Sequence, residues 1–453
     1  MLRLGIVGTA RILPSHLRGV KRLLDAGLAD VRVTALVGRT LEGALSFRRR
    51  GEGPVPRPPV MEGSDPLAAP HMYVSDVHPD VLPECYTDLD AMLAADQVDA
   101  VLLLTPVHLH HLQAVRCMAA GLHVMVEKPL AVSVRAGRCM VEEAERRGLV
   151  LGVAEGMRYE RSARLQRWAV DSGLLGRVEM MLMGGVGGPW SPDRMVAATP
   201  WRHRKLEAGG GPALDIGVHQ FAHVRYVGGE VDEVSAVATR LEPERVNRDA
   251  AGRVIGRVRV DVEDSYHALF RLRAGGTGHL AFSWGTHGES TWWPEAPIWY
   301  GSHGALKGLR FTADDGSVLE LPAWAEAHIP RTRWDAWFPC GITDSKALQF
   351  LDFTRAIAAG AVARDPAAAG RTPTGRAPGA RAPGIIEHGL AAAPAPPAAA
   401  QPEASGAEGL RELACAFAIL EANTLHAAVR VDDVLSGRID AYQREIDEAY
   451  GLV

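Results

Sequence analysis

The first 126 residues alternate two patterns, and this alternation restricts the chain to few folds. Short apolar runs at residues 2–8, 31–37, 99–104 and 122–126 are separated by small-residue turns and by stretches of helical character that end near Ala26, Ala95 and Ala120. Apolar runs of this length bounded by turn residues read as buried strands, and their alternation with helices predicts a parallel sheet covered on both faces. Ligands bind beyond the carboxyl ends of such strands. The turns Gly8-Thr9-Ala10-Arg11-Ile12, Thr105-Pro106 and Glu127-Lys128-Pro129 all fall at such ends.

A strand, a tight small-residue turn and a helix open a dinucleotide-binding unit, in which the amides of the helix N-terminus meet a pyrophosphate. Ala10 and Leu13 stand where the full glycine fingerprint would have its second and third glycines, so the turn alone also fits any strand-to-helix junction. The second strand ends in Gly38-Arg39-Thr40 rather than in an acid. An arginine there pairs with a 2′-phosphate or stacks on adenine, which tilts the expectation between NAD and NADP towards NADP. Residues 50–80, rich in proline, glycine and charge, read as a surface insertion. His108, His110 and His111 sit at a helix start without an acid or thiol at ligand spacing, so no metal is expected; His110 is read as supporting the cofactor loop.

After residue 151 the organisation changes. Long alternating runs at 178–183, 231–239, 254–272 and 277–286 follow one another without helices between them, which predicts an open, mainly antiparallel sheet. The fold class is therefore α/β: a Rossmann dinucleotide-binding domain at 1–152, then an α+β domain at 153–453. Within the second part, Gly209-Gly210-Gly211-Pro212 precedes Asp215 and His219, four residues apart. On one helix that spacing puts both side chains on one face, where they form either a proton-transfer pair or a solvated face. Trp190 and the run Trp201-Arg202-His203-Arg204-Lys205 form either a substrate wall, with rings stacking on a sugar and cations gripping hydroxyls, or a basic surface turn. Trp284 and His287 are further candidates for that wall. Residues 361–408, dominated by alanine, proline, glycine and arginine, lack the apolar surface to fold alone and read as a disordered insertion.

Composition bounds the rest. A chain of 453 residues with 47% hydrophobic content can build two cores, and a formal charge of −5 offers no general attraction to nucleic acid or an anionic membrane. No apolar run approaches the roughly 20 residues needed to span a bilayer. Five cysteines without paired spacing read as reduced core residues, and the expectation is a cytoplasmic protein.

In order and spacing, Gly8-Thr9-Ala10-Arg11-Ile12, Tyr86-Thr87-Asp88, Thr105-Pro106 with His110, Glu127-Lys128-Pro129-Leu130, and Gly209-Gly210-Gly211 with Asp215 and His219 resemble the Gfo/Idh/MocA family, the relatives of glucose-fructose oxidoreductase and inositol dehydrogenase. The resemblance implies an NAD(P)-dependent dehydrogenase or reductase acting on a secondary hydroxyl of a sugar, cyclitol or derivative. Lys128, Asp215 and His219 would be its catalytic group. His219 would be the base, Lys128 the donor to the reacting oxygen, and Asp215 the partner of a neighbouring hydroxyl. Gly8 to Ile12, Arg39, Thr105, Pro106, His110, Glu127 and Lys128 would hold the cofactor. Arg158, Tyr159, Trp201 and Arg202 would join Asp215 and His219 on the substrate. The free face of the sheet would make a homodimer or homotetramer. Two other functions share this scaffold: NAD-dependent glycoside cleavage by oxidation, elimination and re-reduction, and a non-catalytic dinucleotide-binding regulator.

Overall fold

The computed structural model of the protein describes residues 1–453 except 57, 60–62, 64, 188–198, 250 and 365–400, with only the backbone described at 361–364. Six parallel strands, β1 (Leu2–Val7), β2 (Val31–Val37), β3 (Glu84–Tyr86), β4 (Ala100–Leu103), β5 (His123–Val126) and β6 (Leu151–Val153), pair in the order β3-β2-β1-β4-β5-β6 among the described residues. All five pairings are parallel. The order reverses between β1 and β4, and the crevice of a doubly wound sheet opens at such a switch point.

The strands are apolar throughout because both faces are covered. On one face Leu4, Ile6, Val33 and Leu102 pack with Leu13, Leu17 and Val20 of the helix Leu13–Asp25, and with Phe350 and Phe353 of the helix Ser345–Arg364. On the other, Val101, Leu103 and Val124 pack with Cys117, Met118 and Met140, in a core continuous with that of the second sheet. Residues from far along the chain thus complete the core of the first sheet.

The second sheet has ten strands among the described residues, and nine form one path: Val318–Glu320, Arg310–Ala313, Gly304–Lys307, Ile298–Gly301, Val178–Val186, Thr277–Ser283, Ser265–Leu272, Val231–Thr239, Val429–Arg430. Every pairing is antiparallel except that of Val178–Val186 with Thr277–Ser283. In Ser265–Leu272 the residues Tyr266, Ala268, Phe270 and Leu272 are buried, while His267, Leu269 and Arg271 face outwards. The buried side meets the helices Gly217–Gly228 and Gly406–Leu425, as in the edge contact of Phe221 with Phe270.

Two expectations change. The run 254–272 is not one strand: Val254–Arg259 turns back on Glu244–Arg248 in a separate hairpin. Asp264, fully buried, accepts from the amides of Leu241 and Glu242 and from Arg245, and this fixes the corner between the two strands. The stretch 361–408 is also shorter as an insertion than its composition implies. The preceding helix runs to Arg364, Ala404 is buried with its amide donating to the Tyr159 hydroxyl, and the Ser405 hydroxyl caps the helix Gly406–Leu425. The interior of that stretch, 365–400, lies outside the described residues. Among the described residues no helix is long and apolar enough to cross a membrane.

Candidate active site

A cleft of about 1120 Å³ lies over the switch point, lined by Gly8 to Arg11, Gly38 to Thr40, and Thr105-Pro106. Gly8 has φ of +101°, and a β-carbon there would stand 2.8 Å from the backbone of Leu104, so glycine is required where β1 and β4 meet. No side chain caps the helix Leu13–Asp25. Its first-turn amides turn back on the carbonyls of Ala10 and Ile12 and Pro14 has none, so the cleft is met by the turn Gly8 to Arg11 ahead of the helix. Strand order, glycine turn and cleft together fit a dinucleotide. Arg39 is exposed at the rim. Pro54 to Pro56 form part of the wall, so the stretch read as a surface insertion borders the ligand cleft. Pro200, Trp201 and Arg204 close it from the second domain.

Several expected cofactor residues act from behind this lining. Ile12 packs against the core beneath the turn. His110 is buried, with Nε2 2.8 Å from the Thr105 carbonyl and Nδ1 2.9 Å from that of Pro129, so it ties the β4 loop to the β5 loop. Burial lowers its pKa, and the two carbonyls, which favour the charged ring, offset only part of that. Glu127 accepts from His16 Nε2 at 2.7 Å and from Lys346 Nζ at 2.8 Å. Burial would raise its carboxyl, but Lys346 and His16 hold it well below the usual carboxylate range. His108 meets the carbonyl of Glu207 and His111 packs edge-on against Tyr450, so the three histidines diverge.

Beside the cleft lies a polar corner. Lys128 follows β5, and its Nζ donates to Asp215 twice, to Oδ1 at 2.8 Å and to the main-chain oxygen at 2.7 Å. Asp215 Oδ2 accepts from Arg202 Nε at 3.2 Å, and the Arg202 guanidinium lies 4.4 Å over the Trp201 ring. Burial favours the neutral acid, yet Lys128 and Arg202 outweigh it and keep the Asp215 carboxyl ionised. Asp215 and His219 are not on one continuous helix. The turn Pro212–Asp215 ends at Ile216 and a second helix, Gly217–Gly228, carries His219. A β-carbon on Gly211 would meet the Glu263 carbonyl at 1.8 Å, so this junction needs glycine to come so close to the neighbouring chain.

His219 Nδ1 lies 2.6 Å from Oε2 of Glu155, whose side chain is 1% exposed. The oxygen sits off the line of the ring N–H, so the contact is close without being an aligned hydrogen bond. Glu155 also accepts from the amide of Met157 at 3.0 Å. Burial raises its carboxyl, while His219 and Lys128 lower it by more.

The structure thus brings Lys128, Asp215, His219, Trp201 and Arg202 to one corner. Arg158 and Tyr159 are a correction. The Arg158 guanidinium is occupied by Glu408 at 2.6 Å and Glu412 at 2.8 Å inside the protein, and the Tyr159 hydroxyl donates to Asp352 at 2.7 Å. Both are buried, with these polar groups turned to partners inside the protein. The basic run also divides: Arg204 pairs with Glu207 and Lys205 with Glu445, leaving Arg202 at Asp215. Trp284 is buried in the core and His287 pairs with Glu242 on the surface. Trp190 lies outside the described residues. Sequence reasoning missed Glu155 as the partner of His219, although an acid just beyond a strand's carboxyl end was a usable signal. Lys346 and His16 carry no local signal at all.

This fold and cleft define an NAD-binding Rossmann oxidoreductase. Residues 2–155 match the model of an oxidoreductase family with an NAD-binding Rossmann fold, and residues 164–307 match the GFO/IDH/MocA C-terminal domain. The chain belongs to the Gfo/Idh/MocA family. It is 26% identical over 299 residues to levoglucosan dehydrogenase of Pseudarthrobacter phenanthrenivorans, covering 60% of this chain and 75% of that one. It is 27% identical to myo-inositol 2-dehydrogenase of Thermotoga maritima, covering 54% of this chain and 61% of that one. The solved levoglucosan dehydrogenase in complex with NADH and L-sorbose shares the fold, with a TM-score of 0.66 at 19% identity over 96% of this chain and 100% of that one.

Proposed function

We propose that the protein is an NAD(P)-dependent dehydrogenase or reductase that acts on a secondary hydroxyl of a sugar, cyclitol or related derivative. The observation that carries this reading is the Lys128–Asp215 pair, with His219 close enough to act on Asp215, joined through Arg202 to Trp201 of the cleft wall. Bound in that cleft, the nicotinamide supplies a hydride acceptor or donor. Lys128 donates to the reacting oxygen and stabilises the negative charge that develops there. Asp215, kept ionised, accepts from an adjacent hydroxyl and sets the orientation of the ring. His219 takes the hydroxyl proton in oxidation and returns it in reduction, the general acid–base role open to an imidazole. Trp201 and Arg202 supply a face for stacking and donors for further hydroxyls.

NAD is the cofactor the family domain describes. Arg39 at the rim, with no acid in its place, supports acceptance of NADP as well. Val237 and Leu269, 64% and 62% exposed on the open face of the sheet, support association of copies through that face, and sedimentation of the purified protein would measure it. Incubation with NAD(P) and a panel of polyols and aryl glycosides tests the main reading. Growth of reduced-nicotinamide absorbance with a polyol is the expected result. Aglycone release with catalytic NAD would replace it with redox-neutral glycoside cleavage. Tight cofactor binding without turnover on any polyol or glycoside would indicate a regulator.

A further inference from the structure

Glu155 lies just beyond β6, in a loop with no part in the dinucleotide cleft, yet it is a fully buried carboxylate with one oxygen directed at a catalytic candidate. Burying a carboxylate is costly unless it is paired. Among the described residues one of its oxygens takes the backbone amide of Met157, and the other meets His219 Nδ1. On the His219 ring, Nδ1 is the buried nitrogen, while the ring as a whole keeps 33% of its side-chain surface exposed. The exposure therefore falls to the rest of the side chain.

We propose that Glu155 is a positioning residue for the reaction: it holds the proton of neutral His219 on Nδ1, leaving Nε2 as the base that receives the hydroxyl proton, and then balances the imidazolium that forms. The inference rests on the function proposed for this site. In the oxidation direction the hydroxyl proton passes to Nε2, the carbon's hydrogen leaves with its electron pair to the oxidised nicotinamide, and the carbonyl forms. The Nδ1 proton stays where it was. A third group that orients the base is the general requirement of such pairs.

The charges around Glu155 fit that task. Lys128, beyond β5, and His219 favour its ionised form, whereas Glu160, ahead of the helix Arg161–Asp171, and Glu412, on the helix Gly406–Leu425, oppose it. Arg158 holds Glu412, which blunts that opposition. Asp215 is the other carboxylate that His219 influences, and it is already engaged by Lys128 and Arg202. Among the described residues Glu155 is the carboxylate in contact with the ring.

Two measurements test this. In wild-type protein without cofactor, selective 15N-histidine labelling should show the His219 ring, assigned by its loss in His219→Asn, protonated on Nδ1 at high pH; a ring protonated on Nε2 would overturn the proposal. In kinetics, Glu155→Gln should lower kcat/KM at neutral pH by about a hundredfold and move the acid limb of its pH profile down by about one unit, because the carboxylate that favoured the imidazolium is gone. Glu155→Asp keeps the charge, and its acid limb should stay near the wild-type position. A Glu155→Gln limb that does not move would reduce Glu155 to a structural acid. Should Glu155→Gln not fold, the ring protonation and the aspartate variant decide. If no polyol reduces NAD(P), the proposed activity fails while the nitrogen measurement still reports on Glu155.

Discussion

The dinucleotide cleft and the polar corner lie side by side and are built on opposite plans. The cleft includes a run of backbone and small side chains from turns of one sheet, Gly8 to Ala10, Gly38 and Thr105-Pro106, with larger residues such as Arg39, Trp201 and Arg204 around it. The corner is charged side chains from separate elements: Lys128 after β5, Glu155 after β6, Asp215 on a short turn, His219 on the next helix and Arg202 from the loop before them. A binding surface made of backbone tolerates changes of side chain. A set of mutually neutralising charges does not, since removing one leaves its partner buried and unpaired.

The contrast can be broken most sharply at the corner. Lys128→Ala and His219→Ala should each lower kcat by about a thousandfold, with NADH binding, followed by fluorescence, within a few fold of wild type. Near-normal turnover in either would mean that the corner is structural and the cleft alone is functional.

A second contrast, of intermediate size, concerns the support beneath the cleft. Glu127 is held by Lys346 from the far end of the chain and by His16. Lys346→Met should cost about 3 kcal/mol in urea unfolding, because it leaves a largely buried carboxylate with one partner. The folded pKa of Glu127 lies below its usual 4.5 and that of His16 below its usual 6.5, so both groups contribute stability that is present at higher pH. The His16 part should be lost as pH falls below about 6.5 and the Glu127 part as it falls below about 4.5, and the loss should be shallower in Lys346→Met.

The smallest effect is expected at the rim. Arg39→Asp should shift the ratio of kcat/KM for NADP over NAD by about tenfold towards NAD, since an acid repels a 2′-phosphate and accepts from a 2′-hydroxyl. An unchanged ratio would mean that Arg39 points its charge into solvent.

The same contrast explains what could be read before the structure was known. The parallel sheet follows from apolar runs at strand spacing, and the cleft follows from the turns that end them, because both signals are local. The motifs that place Lys128, Asp215 and His219 are short enough to survive as patterns. What they pair with is not local: Glu155 reaches His219 across 64 positions and Lys346 reaches Glu127 across 219. Arg158 and Tyr159 went astray for the same reason, since their partners Glu408, Glu412 and Asp352 lie far downstream and draw them inwards.

The return of the helix Ser345–Arg364 onto the helix Leu13–Asp25 has a practical corollary for dissecting this molecule. Phe350 and Phe353 belong to the core on that face of the first sheet, so a fragment ending after β6 would carry a greasy trough where those rings belong. The nucleotide half is not a detachable module, and severing the chain between its two sheets would cost the first of them its floor.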